Sequence, residues 1–170
     1  MTSLPKFDIQ VCCNTDRLPP EAEALFAPPL AESRQPLPDD RWDRDLWSFA
    51  LIHAVTSSGH VLGGVYLDIG PIGGTGPLAR EKLAYLERVL VRSEYRGQGL
   101  ATGLLSVALR VAEEGGCLYV RCSNNWNNEA ERRLLLKCGF ALVDLDGESD
   151  DEPCYLAVRP LRTTRRHEFE

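Results

Sequence analysis

The stretch Val89-Leu90-Val91-Arg92-Ser93-Glu94-Tyr95-Arg96-Gly97-Gln98-Gly99-Leu100-Ala101-Thr102-Gly103 constrains the fold more than any other. A β-branched run gives way to a glycine-rich turn and then to helix-forming residues, so unpaired backbone N–H groups and the positive end of a helix dipole converge on one point. Such a point binds phosphate. Gly97 and Gly99 have no β-carbon and let the backbone approach a bulky anion, Ala101 keeps the next turn small, and Arg96 adds a donor fork. The same small residues would also serve a tight turn with close helix packing and nothing more. A dinucleotide fingerprint built on Gly97, Gly99 and Gly103, with Arg121 holding a ribose phosphate, fits the spacing but not the chain position. Such motifs follow the first strand of several βαβ units, whereas about half the chain precedes this one.

Composition narrows the guests. The 170 residues are 44% hydrophobic and 26% charged, which suits one globular domain with a core that needs no disulfides. The net charge of −6 speaks against nucleic acid and anionic lipid as partners and makes a cationic small molecule the more natural guest. Cys12, Cys13, Cys117, Cys122, Cys138 and Cys154 show no zinc spacing and the three His are scattered, so no metal is expected. The start Met1-Thr2-Ser3-Leu4-Pro5-Lys6 carries no apolar run of an export signal, so a reduced, cytoplasmic chain is expected. Leu46 to Leu67 is uncharged and long enough to cross a bilayer, but Ser57-Ser58-Gly59-His60 divides it into a hairpin, and no membrane partner is expected.

The remaining pattern predicts a strand over Lys6 to Cys13, then a helix opened by Pro19-Pro20 and ended by Pro28-Pro29. A loop to Asp45 carries Trp42, with Trp47 just beyond. After the hairpin and a loop over Gly70 to Pro77 come a strand over Leu83 to Arg92 and a helix over Gln98 to Glu114, closed by Gly115-Gly116. A strand over Cys117 to Cys122 precedes a helix over Asn128 to Cys138 with an Asn-x-x-Glu start, and strands over Phe140 to Leu145 and Cys154 to Val158 close the chain. Residues 1–161 are expected to form one domain, with 162–170 a polar tail. The order implies an α/β (α+β) sheet with a parallel segment around the helix after Arg96.

The sequence resembles the GCN5-related N-acetyltransferase (GNAT) superfamily. Arg96, Gly99 and Ala101 match its pyrophosphate motif, Tyr95 to Ala101 follow a common wording of it, and Lys137-Cys138-Gly139-Phe140 looks like the ending of its later helix. The likeness covers about Leu46 to Pro160. It implies a mostly antiparallel central sheet with flanking helices and a splayed parallel strand pair into which acetyl-CoA, the co-substrate, inserts. Val89 and Val91 would bond the pantetheine arm through their backbone, and the amides of Gly97, Gln98, Gly99, Leu100, Ala101 and Thr102 would hold the pyrophosphate. Asn128 matches a position that contacts the cofactor, although helix capping explains it equally well. The implied reaction is acetyl transfer to an amine-bearing acceptor, small molecule or peptide, with a backbone N–H near Leu90 or Val91 holding the oxyanion. A homodimer is left open.

Glu87 is the candidate base. An even pleat places it with Tyr85, Val89 and Val91, with Arg88 pointing the other way, and an acid among apolar neighbours should have a raised pKa suited to deprotonating an ammonium. A salt-bridged strand residue is the plainer role for the same position. One departure from the family pattern is Leu135, which stands where many members place a Tyr that protonates the leaving thiolate. Tyr95, Tyr119 and Cys138 are substitutes by type only. This gap keeps a non-catalytic CoA-binding or interaction module as the alternative. The acidic run Asp146, Glu148, Asp150, Asp151 and Glu152 and the three Trp are candidates for the acceptor side.

Overall fold

A computed structural model describes residues 3–13, 18–33, 47–73, 76–145 and 154–162. The expected loop with Trp42, the acidic run 146–152 and the tail beyond Arg162 lie outside the described residues. Strands β1 (Phe7–Cys13), β2 (Ser48–Thr56), β3 (Val61–Pro71), β4 (Lys82–Val91), β5 (Cys117–Asn125), β6 (Ala141–Leu145) and β7 (Cys154–Pro160) form one sheet in the order β1-β2-β3-β4-β5-β7-β6. Every neighbouring pair is antiparallel except β4 and β5, which are parallel. The mixed, mostly antiparallel sheet with one parallel pair is the architecture expected from the sequence.

Helix α1 (Pro20–Ser33) lies on one face, and α2 (Leu100–Glu114) and α3 (Glu129–Lys137) on the other. Because both faces of the central strands are covered, β2 and β3 are apolar almost continuously rather than alternating. The α2 stripe buries Leu100, Leu104, Leu105, Ala108 and Ala112 against the first face. On the second face Ala22 and Phe26 of α1 pack on Leu51, Val55, Val61 and Tyr66. Glu21, in the first turn of α1, ties the helix to the β2–β3 turn by accepting from the Val61 N–H at 2.8 Å and pairing with His60 and Arg92.

One boundary differs from the sequence reading. Helix α1 runs through Pro28 and Pro29 to Ser33 instead of stopping there. Proline fixes φ near the helical value, so the helical path survives while its missing N–H groups thin the hydrogen-bond ladder. The start of α3 is as expected: the Asn128 side chain accepts from the Glu131 N–H at 3.2 Å. Removing that cap in Asn128→Ala should cost about 1 kcal/mol and lower the melting temperature by roughly 2–4 °C, read by circular dichroism.

Candidate active site

The parallel pairing of β4 and β5 is short. It runs from Lys82 opposite Cys117 to Tyr85 opposite Arg121, yet β4 continues to Val91 and β5 to Asn125. Beyond Tyr85 and Arg121 the two strands part, each still held by its outer neighbour: β4 pairs with β3 as far as Val91, and β5 pairs with β7 as far as Asn125. The result is a wedge inside the sheet with an unpaired backbone edge on each wall.

The ladder decides which groups face this wedge. The Arg92 N–H bonds the Leu62 carbonyl at 3.0 Å, so by alternation Leu90 also turns its backbone groups toward β3, and Val89 and Val91 turn theirs toward the gap. Two of the three expected strand positions therefore face the wedge. Leu90 does not, and its side chain packs on the α1 face.

The glycine-rich turn closes the top of the wedge. Gly97 and Gly99 have φ of 74° and 82°, the left-handed region in which a side chain is strained, and Gly99 is the N-cap of α2. The Gly103 N–H bonding Gly99 at 3.1 Å closes the first turn of the helix. The amides of Leu100, Ala101 and Thr102 precede it and have no acceptor within the helix. A β-carbon added at Gly97 or Gly99 would meet nothing within 4 Å, so the space above the turn is open. Arg96 bends back, donating from Nε to the Val91 carbonyl at 2.9 Å, which ties the turn to the strand end. Open space beside unpaired helix-end amides suits a pyrophosphate.

Glu87 sits at an irregularity that the sequence does not announce. Leu86 pairs with Leu67 and Arg88 with Tyr66, so Glu87 is the extra residue of a β-bulge and shares Tyr66 with Arg88. The even pleat expected from the sequence is broken. Glu87 keeps company with Tyr85, because its carboxyl lies within hydrogen-bond reach of Asp68, the residue opposite Tyr85. It parts from Val89 and Val91, which pack on the α2 face, and Arg88 stands on its own side of the sheet. Burial, followed by the charge and the hydrogen bond of Asp68, pushes Glu87 up to about 7 against the pull of Arg88.

That shift carries a stability consequence. A carboxyl titrating at about 7 in the fold and 4.5 when unfolded binds more protons in the native state between those values, so its contribution is full below pH 4.5 and lost as pH rises through 7. Full conversion at about 1.4 kcal/mol per unit would give on the order of 3 kcal/mol, which solvent screening of this partly exposed group reduces to ~1–2 kcal/mol. Glu87→Gln should therefore be more stable than the parent by that amount in urea at pH 8, with the gap closing near pH 4.

Around Glu87 the α1 face is aromatic. Phe49 stacks on Tyr66 at 5.7 Å, and Tyr85 carries the Arg121 guanidinium 5.5 Å from its ring centre while its hydroxyl meets Ser123 Oγ at 2.9 Å. Trp47 lies flat against Gly70, where a β-carbon would fall inside its ring. Trp126 is occupied elsewhere, its ring tilted at 56° against Tyr155 with centres 5.2 Å apart and its Nε1–H donating to Asp144 at 3.0 Å.

At the α3 wall, Asn124 and Asn128 both donate to the Glu131 carboxylate. Burial raises Glu131, and Arg88, reaching it from β4, pulls the other way. Leu135, one turn along, is fully buried. Tyr155 of β7 is also fully buried, its hydroxyl without a hydrogen-bond partner among the described residues, and burial pushes it up to about 12. Of the substitutes named from sequence, Tyr95 meets His60 edge-on at 6.4 Å, and Cys138 caps the far end of α3, its thiol raised by burial. Asp68 and Tyr155 were missed. The only signal for Asp68 was an acid at the end of an apolar run.

A separate groove of about 650 Å³ lies where the second half of α2 meets the end of α3 and β7, lined by Arg110, Lys137 and Arg159 among others and by none of the expected site residues. Among the described residues no three His, Cys, Asp or Glu side chains are grouped to hold a metal ion, and no helix is long and apolar enough to cross a membrane.

A glycine-rich turn that opens a helix beside a splayed parallel strand pair is the arrangement of a GNAT-type fold. The model of the Acetyltransferase (GNAT) family matches residues 19–140, and the chain belongs to that family. A streptothricin acetyltransferase of Escherichia coli is 34% identical over 64 residues, a stretch that covers 38% of this chain and only 37% of that protein. Among solved structures, Arabidopsis thaliana NAA60 in complex with acetyl-CoA superposes with a TM-score of 0.58 at 15% identity, covering 89% of this chain and 100% of that one. The NatC complex bound to Gag peptide and CoA gives a TM-score of 0.59 at 18% identity, with 90% and 99% covered. At such identities these two establish likeness of fold.

Proposed function

We propose that this chain transfers the acetyl group of acetyl-CoA to a primary amine of a small molecule or peptide. The observation that carries this reading is the wedge: parallel pairing stops at Tyr85 and Arg121 while both strands continue, and the turn at Gly97 to Thr102 stands at its mouth. Backbone groups of Val89 and Val91 line the gap and suit the amides of a pantetheine arm. The amides from Gly97 to Thr102 suit the pyrophosphate, and Asn128 caps α3 where β5 ends. Acetyl-CoA supplies an activated thioester.

Glu87 takes the ammonium proton, directly or through water, and so frees the amine lone pair. As the amine N–C bond forms and the C–S bond breaks, the oxyanion develops beside the wall of β4, where the Val91 N–H faces the gap and the Leu90 N–H does not. The nitrogen gives up its second proton as the amide forms, and the departing thiolate takes up a proton in exchange, both through solvent. Both acceptor types have support: one relative is named for streptothricin, and a structural neighbour is described with a peptide bound.

Leu135 favours a second reading, a module that binds CoA without turnover. Thiol release from acetyl-CoA across a panel of polyamines, aminoglycosides and lysine-bearing peptides separates the two. Saturable release with at least one amine is expected; tight CoA binding with no release from any of them would leave only the binding module.

A further inference from the structure

We propose that Asp68 is a positioning residue for Glu87, holding the Glu87 carboxyl in place and strengthening it as a base. This rests on the reading of Glu87 as the proton acceptor and adds a second residue to it.

Three observations converge. Glu87 shares a face with Tyr85, whose partner across the ladder is Asp68, and the β-bulge takes Glu87 itself out of the regular pairing. Asp68 itself has no freedom to leave, since it stands in register between Phe49 of β2 and Tyr85 of β4, in the middle of the sheet. The two carboxyls are within hydrogen-bond reach, and an ionised carboxylate only accepts, so a hydrogen bond between them exists only while one carries a proton. Between its two ionisation steps the pair therefore shares one proton, and it gives that proton up against the repulsion of two adjacent negative charges. Once both are ionised, Glu87 attracts a proton more strongly than a lone carboxylate would, and an arriving ammonium supplies one.

Among the described residues, Arg88 of the same strand acts on Glu87, and Arg121 of β5 lies over the ring of Tyr85, the residue opposite Asp68. From β2 the neighbour is Phe49, which carries no charge. The cations temper the repulsion without cancelling it, since Glu87 remains raised in the presence of Arg88. In Asp68→Asn the like charge is gone while a hydrogen-bonding side chain of the same size remains, so Glu87 becomes a weaker base.

The test is carboxyl titration by carbon NMR of glutamate-labelled protein, with the Glu87 signal assigned by its loss in Glu87→Gln. Asp68→Asn should lower the Glu87 midpoint by about one pH unit or more, and Asp68→Glu should restore it. In thiol release with whichever panel amine turns over, Asp68→Asn should move the acid limb of kcat/KM down by the same amount and lower kcat ~10-fold, leaving acetyl-CoA affinity unchanged. Asp68→Ser provides the same titration should the Asn variant fold poorly. A Glu87 midpoint that stays within about 0.3 units in both Asp68 variants overturns the role of Asp68, whatever Glu87→Gln does. Full turnover in Glu87→Gln instead refutes Glu87 as the base, so the two failures are told apart.

Discussion

Glu87→Gln is expected to lower turnover ~10²–10⁴-fold while leaving acetyl-CoA affinity within about twofold. The amide keeps the size and much of the hydrogen bonding of the carboxyl but cannot take a proton from an ammonium. The affinity should hold because Glu87 lies on the α1 face, whereas the groups that line the wedge are backbone atoms of Val89, Val91 and the turn. The loss should be deepest below pH 8 and shrink as pH rises, since at high pH free amine forms in solution without help. Steady-state thiol release from pH 6 to 10, alongside calorimetric titration with acetyl-CoA, reads both quantities. Because the same substitution is expected to stabilise the protein at pH 8, lost activity there could not be blamed on unfolding.

The second large effect belongs to Gly99. Gly99→Val should weaken acetyl-CoA binding ~30–150-fold, equivalent to ~2–3 kcal/mol, through loss of charge-assisted bonds from the turn. Two causes combine. At φ 82° a β-branched residue is strained, so the turn relaxes and its amides no longer converge. The added side chain also fills space that is open in the fold, with nothing within 4 Å of its β-carbon. That openness limits the damage to the protein itself: the folding stability should fall by the backbone strain alone, on the order of 1–2 kcal/mol. Calorimetric titration with acetyl-CoA and a thermal melt on the same sample separate the two effects.

The parts of the site that were legible in the sequence are those encoded locally. Glycines at Gly97 and Gly99 punctuate the chain where the backbone must turn left-handed, and the α2 stripe repeats every three or four residues, so turn and helix could be placed before any tertiary contact was known. The cap at Asn128 and the stop at Gly115-Gly116 are legible for the same reason. The wedge was not read from pattern. It depends on how far β4 and β5 stay paired, a property of two strands separated by a helix, and it was expected only through family resemblance.

Glu87 shows the limit most clearly. Its residue type marks it and an even pleat places it with Tyr85, but one extra residue in β4 turns Val89 and Val91 away to the other face. Asp68 was passed over because the apolar run of β3 stops at Leu67 while the strand goes on to Pro71, held by pairing with β2 and β4 on both sides. Leu90 was grouped with its neighbours because side-chain pattern says nothing about which way a backbone N–H points. Pro28 and Pro29 misled in the opposite sense, breaking the pattern of a helix whose backbone continues.

Acetyl-CoA bound in the wedge between β4 and β5 should reveal itself in amide NMR during titration with acetyl-CoA. The largest shifts should fall on Val89, Val91 and Gly97 to Thr102, with smaller ones at Cys122 to Asn124 on the opposite wall. Shifts concentrated instead at the groove of Arg110, Lys137 and Arg159, or no saturable shift in the wedge at all, would contradict it.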